Sequence, residues 1–199
     1  SMMAHTLLYR VCYTRKARRI LVHSVAGGVG QFLCSLASHI GIEVIGTVGN
    51  DSKISIASAL GCKHVINYSK NDFLQEVAKI TNNEGVGAVF DGVGRDTMDK
   101  SIDCLWPMGI CVSYGESSGS CNNLDLNSLI TNSVYVTRPT LALYKANKIE
   151  LALSANEMFK KISDGILKPQ ITSFKFTDIA KAHQALESRA TTGSLVLTL

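Results

Sequence analysis

The sequence predicts a doubly wound, mostly parallel α/β sheet, and three observations predict it. Short, uninterrupted apolar runs alternate with helix-period segments along most of the chain. Glycines stand where the first two helices must stop, at Gly41 and Gly61. A glycine cluster, Gly27-Gly28-Val29-Gly30, directly follows the first apolar run. Continuous apolar strands separated by helices imply parallel pairing, both sheet faces covered and right-handed crossovers.

The elements follow in order. Residues 20–25 form a first strand, and a helix runs from about 28 to 40. Residues 43–48 form the next strand, after which Asp51 or Ser52 is placed to cap a helix reaching Leu60. Residues 64–68 give a third strand, and 72–80 a helix with apolar positions Phe73, Leu74, Val77 and Ile80. Strand four spans 86–93, a helix 96–105, and strand five 109–114. A sixth strand, 133–137, alternates as an edge strand does. Beyond it the pattern changes to a long helix (145–164, stopped by Gly165), a strand (170–176), a helix capped by Thr177 or Asp178, and a last strand (194–199). The chain thus divides into an α/β unit over 1–142 and a tail over 143–199, too small to build its own core.

Composition bounds the function. Of 199 residues 46% are hydrophobic and 18% charged, with a net charge of +4, which excludes a disordered chain and makes no electrostatic case for nucleic acid or membrane. No apolar run nears the roughly 20 residues of a membrane helix. The six cysteines lie apart, without a C-x-x-C pair, and most sit in apolar stretches. They are expected to be buried free thiols in a reducing, cytoplasmic setting, with no metal site.

The chemistry concentrates at strand ends. Val25-Ala26-Gly27-Gly28-Val29-Gly30 joins the first strand to a helix, as a phosphate-binding turn does. Glycines let backbone N–H groups approach a pyrophosphate at the positive end of the helix dipole. Val25 replaces the first glycine of the G-x-G-x-x-G pattern, and the same glycines would equally serve a packing turn. Strand two ends Gly46-Thr47-Val48-Gly49 without an acid, and Lys53 follows. A missing carboxylate and a nearby cation favour a 2′-phosphate, hence NADP(H). Asp51 stands against this, about 20 residues past Gly30, near the spacing of an NAD site; it is read as a helix cap, and Lys53 would equally suit a solvated helix. Asp91-Gly92-Val93-Gly94 and Tyr114-Gly115-Glu116-Ser117 close strands four and five, where ligands or plain turns are found.

Together the strings Leu21 to Gln31, Gly46 to Gly49, Ile66 to Tyr68, Asp91 to Arg95, Val136 to Pro139 and Glu187 to Gly193 resemble the zinc-independent quinone oxidoreductases. These are the zeta-crystallin-like branch of the medium-chain dehydrogenase/reductases, and the resemblance spans nearly the whole chain. It implies metal-free, NADPH-dependent reduction of quinones, usually by a homodimer. By the same resemblance Gly28, Val29 and Gly30 would cradle the pyrophosphate, with Gly27 beside them. Gly49, Lys53 and Tyr68 would surround the 2′-phosphate, with Arg189 reaching in from the tail. Tyr114, Gly115 and Ser117 would flank the nicotinamide ribose, and Pro139, Thr140 and Leu141 the nicotinamide. Gly92 departs from the Ser or Thr common at its position, and His5-Thr6 departs from the family's aromatic residue.

The family also carries a β-rich catalytic domain ahead of the point where this sequence starts. The tail from 143 is expected to return to that domain, leaving this chain a poor quinone reductase by itself. No general acid or base is assigned; His23 is expected to be a core histidine, and His183 has no role. A homodimer is expected through edge strand 133–137. The alternatives are an NADPH-sensing or RNA-binding module, for which Arg10, Arg15, Lys16, Arg18 and Arg19 supply a basic cluster, and an enal or enoyl reductase of the same superfamily.

Overall fold

The computed structural model describes residues 2–12, 17–188 and 191–199. Its strands are β1 (Arg19–Val22), β2 (Glu43–Val48), β3 (His64–Asn67), β4 (Val86–Asp91), β5 (Leu105–Ser113) and β6 (Tyr135–Thr137). They form one sheet in the order β3-β2-β1-β4-β5-β6, every pairing parallel. The helices between them are α2 (Gly30–His39), α3 (Ile54–Ala59), α4 (Phe73–Thr81) and α5 (Met98–Asp103), with α1 (Met2–Thr6) ahead of β1. This is the Rossmann order, and the strand sequence reverses between β1 and β4.

The period-2 geometry of strands sorts the apolar residues onto two faces. Ile20, Val22, Ala88 and Phe90 point to one layer, with Leu33 and Leu36 of α2 and with Leu7 and Leu8, which follow α1. Leu21, Ile45, Val89 and Cys111 point to the other, against Phe73 and Val77 of α4 and Met98 and Ile102 of α5. Each of the large aliphatic and aromatic side chains among them contributes about 1.5–3 kcal/mol on burial. Both faces are covered, as the continuous apolar strands require.

Several boundaries differ from the sequence expectation. The first strand ends at Val22, because Ser24 adopts a left-handed conformation (φ 51°) and turns the chain. Neither Asp51 nor Ser52 caps α3. A 3₁₀ turn (Asp51–Lys53) precedes it, Asn50 holds the extended position before that turn, and the Asp51 carboxylate is engaged by Asn67 and Lys70. The expected helix over 145–164 is two: α6 (Leu141–Tyr144) and α7 (Lys148–Ser163). Asn147 separates them, its side chain accepting from the N–H groups of Ile149 and Glu150. Asp178 stands before α8 (Ile179–Glu187) but makes no capping bond; it pairs with Lys181 at 2.7 Å. By contrast, Asp72 caps α4, accepting from the Leu74 N–H at 3.0 Å.

The tail is partly fused to the main core. Met158 of α7 and Leu167 are buried in the same cluster as β1 and α2. β7 (Ile171–Lys175) and β8 (Ser194–Thr198) pair parallel as a separate two-stranded sheet. One face of the tail is apolar and exposed, with Ile149, Leu153 and Phe159 each more than half accessible. Of the basic cluster, Arg10 pairs with Glu150 and Arg19 with Glu43, while Arg15 and Lys16 lie outside the described residues. No disulfide links cysteines among the described residues, and Cys121 alone of the six is only part-buried. Burial is the main cause pushing the Cys104 thiol up to about 12, so it is a packing group rather than a nucleophile. No helix among the described residues is long and apolar enough to cross a membrane.

Candidate functional site

A cleft of about 520 Å³ opens at the carboxyl ends of the strands, where the strand order reverses. That is where open α/β sheets place ligands, and the volume suits a cofactor. Of the sequence candidates, Gly27, Gly28, Val29, Gly30, Gly49, Lys53, Tyr68, Gly92, Tyr114 and Ser117 line it. Gly115, Pro139, Thr140 and Leu141 lie outside its lining. Arg189 falls outside the described residues.

The floor is the turn between β1 and α2. Gly30 is there because nothing larger fits: a Cβ would lie 2.5 Å from the Ser24 carbonyl oxygen and 2.8 Å from Val25 Cα. The turn is closed by the Gly27 N–H donating to that same oxygen at 2.8 Å. The tail braces it from outside. Gly27 and Gly193 form a parallel bridge, and the Gly193 N–H donates to the Ala26 carbonyl at 3.2 Å. No side chain caps α2, whose N-cap position is Val29; the Gln31 N–H donates to the Gly27 carbonyl at 3.0 Å, and Val29 and Gly30 at the helix start line the cleft. An anion there gains from the positive end of the helix dipole.

The wall beyond β2 carries charge of one sign. Among the described residues the cleft lining holds one ammonium, Lys53, and no carboxylate. Lys53 Nζ donates to the Thr191 carbonyl at 3.4 Å, and burial pulls its pKa below the ordinary lysine value. A partly desolvated cation of this kind gains from an arriving anion. Beside it the Tyr68 ring covers Gly49, and Ser69 Oγ donates to the Gly49 carbonyl at 2.7 Å.

The opposite wall is the pair of turns after β4 and β5. At Gly92 a Cβ would meet the Tyr114 ring at 2.8 Å, so the aromatic ring occupies the space that Ser or Thr would need. The Tyr114 hydroxyl reaches the His23 carbonyl at 3.5 Å, and burial foremost pushes its pKa up, keeping the phenol neutral. Glu116 accepts from Arg138 at 2.5 Å, which ties the 138–141 segment to this turn without bringing it into the cleft lining.

Beneath these turns runs a buried polar chain. Asp91 Oδ1 accepts from the Val93 and Gly94 N–H groups at 2.8 and 3.0 Å. Asp91 Oδ2 accepts from the Thr97 and Ser101 hydroxyls at 2.7 and 2.8 Å. The Ser101 proton is thereby spent, so Ser101 Oγ accepts from His23 Nε2 at 3.0 Å, and His23 Nδ1 accepts from the Thr47 hydroxyl at 2.9 Å. Phe73 packs edge-on against the imidazole. His23 is a satisfied, fully buried core residue whose pKa is lowered chiefly by desolvation, against a raising influence of Asp91.

Residues 28–155 match the family described as zinc-binding dehydrogenase. The chain belongs to that family. Its residues are those of the cofactor-binding half of a medium-chain dehydrogenase/reductase. It is 39% identical to quinone oxidoreductase 1 of Escherichia coli K12, covering 96% of this chain and 60% of that protein. It is 37% identical to the 2-haloacrylate reductase of a Burkholderia species, covering 98% of this chain and 60% of that protein. The crystal structure of E. coli quinone oxidoreductase complexed with NADPH superposes with a TM-score of 0.93 at 37% identity, covering 100% of this chain and 63% of that one. The chain therefore spans about 60% of the length of the curated relatives it matches.

Among the described residues no three His, Cys, Asp or Glu side chains gather as a metal-ion cluster, so they are not arranged to hold the ion in the family's name. Sequence reasoning missed cleft residues of two kinds. Ser24 and Asn50 flank strand ends, and their roles come from backbone conformation. Leu186, Ser188, Thr191 and Gly193 come from the tail, which local patterns assign elsewhere. The signal for the last three was the run Glu187 to Gly193, and Leu186 had none.

The His23 environment sets a pH dependence of stability. An unfolded imidazole takes up a proton near pH 6.5, whereas burial keeps the folded one neutral to lower pH. This contribution is full above that pH and is lost as pH falls below it, by up to about 1.4 kcal/mol per unit. Urea unfolding at about pH 7.5 and 5.5 should show His23→Gln losing less stability across the interval than the unaltered protein; equal losses would remove His23 as the cause.

Proposed function

We propose that this dehydrogenase domain binds NADPH in the cleft and serves an oxidoreductase that reduces quinones. The observation carrying the cofactor reading is the charge pattern beyond β2: Lys53 in the lining, and no carboxylate among the described lining residues. A ribose 2′-phosphate meets an ammonium there, while a bare 2′-hydroxyl finds no acceptor carboxylate. The uncapped first turn of α2 and the Gly27 to Gly30 turn would hold the pyrophosphate. Gly49, Lys53 and Tyr68 would surround the 2′-phosphate, with Arg189 completing it from the tail. Gly92, Tyr114, Gly115 and Ser117 would lie along the ribose of the nicotinamide, and Pro139, Thr140 and Leu141 beside its ring. When bound, the reduced nicotinamide supplies a hydride, and the quinone gains that hydride with a proton to become a hydroquinone. The residues of this chain orient and enclose; none is assigned as acid or base.

The acceptor class is supported by the E. coli quinone oxidoreductase likeness, and the Burkholderia reductase supports an activated alkene as the second reading. The exposed apolar face of Ile149, Leu153 and Phe159 supports a tail, 143–199, that serves contact with a catalytic domain. β6 lies at the sheet edge with Tyr135 nearly half exposed, which supports pairing with a second copy there.

Thermal unfolding tests the cofactor: NADPH should stabilise the protein at concentrations about tenfold or more below those NADH needs, and Lys53→Glu should abolish the difference. Equal stabilisation by both nucleotides would sink the NADPH assignment. With NADPH supplied, a 1,4-benzoquinone should drive faster nucleotide oxidation than 2-chloroacrylate; the reverse order would move the acceptor to activated alkenes. Sedimentation should give a dimer, and a monomer would count against β6 pairing.

A further inference from the structure

Asp51 stands near the spacing at which an acid selects NADH, two residues past Gly49 and beside Asn50, which lines the cleft. Its carboxylate does not line the cleft. Instead Oδ1 accepts from Asn67 Nδ2 at 2.5 Å, and Oδ2 is paired with Lys70 Nζ. Asn67 is buried at the end of β3, and its own Oδ1 is taken by the Ser69 N–H at 3.0 Å. That bond fixes the amide so that its NH₂ must face Asp51. The two partners hold the carboxylate well below the usual aspartate range, Lys70 contributing first. The acid is therefore charged at neutral pH, with its charge balanced on the side of β3 rather than presented to the nucleotide.

We propose that Lys70, with Asn67, is a specificity-determining residue for the cofactor, acting through Asp51: it retains an acid that would otherwise repel a 2′-phosphate and accept from a ribose 2′-hydroxyl. The proposal rests on the NADPH reading of the cleft. Lys70 is a positioning residue, whereas Lys53 carries the direct attraction. Removing the Lys70 charge leaves Asp51 unbalanced within a few residues of Lys53. The repulsion acts between partly exposed groups, so its size is that of a surface ion pair and it fades with salt. The same freed carboxylate gives the 2′-hydroxyl of NADH the acceptor it lacks.

The test is equilibrium binding of NADPH and NADH to the 199-residue protein at low ionic strength, for Lys70→Gln, Asp51→Asn and the double variant. Lys70→Gln should lower the NADPH-over-NADH affinity ratio about fivefold. The double variant should restore the ratio to at least its starting value, and Lys70→Arg should keep it. An unchanged ratio in Lys70→Gln overturns the proposal while leaving the cofactor reading intact. A double variant as impaired as Lys70→Gln also overturns it, because Lys70 would then act on the phosphate directly. An unaltered protein with no preference between the nucleotides overturns both. Asp51 and Lys70 are more than half exposed, so these variants retain the core, and matching urea midpoints confirm that they do.

Discussion

The carboxylate of Asp91 is the constraint around which the nucleotide end of this sheet is arranged. It is fully buried at the end of the central strand β4 and accepts four hydrogen bonds. Two come from its own turn, which bends the chain into Gly92 and Gly94; two come from hydroxyls of Thr97 and Ser101, which seat α5 against the sheet. A buried carboxylate lacking such donors costs several kcal/mol, so the turn cannot adopt another shape without forfeiting the group that stabilises it. Through Ser101 and His23 the same network reaches Thr47, the neighbour of Val48 at the tip of β2. The two walls of the cleft are thus set by one polar chain running beneath its floor. Networks of this kind stabilise most when every member is satisfied, which is the case here from Thr47 to Asp91.

What the network does inside the sheet, the tail does outside it. Thr191 accepts from Lys53, Gly193 bridges to Gly27 in the turn after β1, and Gln31 accepts from the Gln170 N–H at 3.3 Å. These are single bonds between distant segments, each modest by itself. They nevertheless hold Lys53 and the Gly27 turn of the cleft lining in place. β7 and β8 pair apart from the six-stranded sheet, yet residues before and after them in the chain line the same cleft.

The sheet was legible because its determinants are local. Runs such as Val86 to Asp91 are uniformly buried, and stops such as Gly41 and Gly61 adopt the positive φ that favours glycine. The Gly27 to Gly30 turn was legible for the same reason. Asp51 was not: spacing along the chain suggested either a ribose ligand or a cap, and its partners Asn67 and Lys70 arrive from a different strand and loop. Likewise no local pattern announces that His23 is satisfied by Thr47 and Ser101, or that Ser24 turns left-handed to end β1 early. Asn147 breaks a helix that periodicity would run straight through, because a side-chain cap outweighs the pattern on either side. The tail's contribution to the cleft depends on contacts across most of the sequence, where single-sequence patterns carry little information.

That last contact has a kinetic meaning. Gly27 and Gly193 meet although nearly the whole length of the chain separates them. Closing so long a loop has a large entropic cost that only the folded sheet offsets, so the bridge belongs to the slow, late part of folding. During synthesis the Gly27 turn emerges well ahead of Gly193, its brace. The cleft is therefore completed only once the distant tail segment around Gly193 has been added.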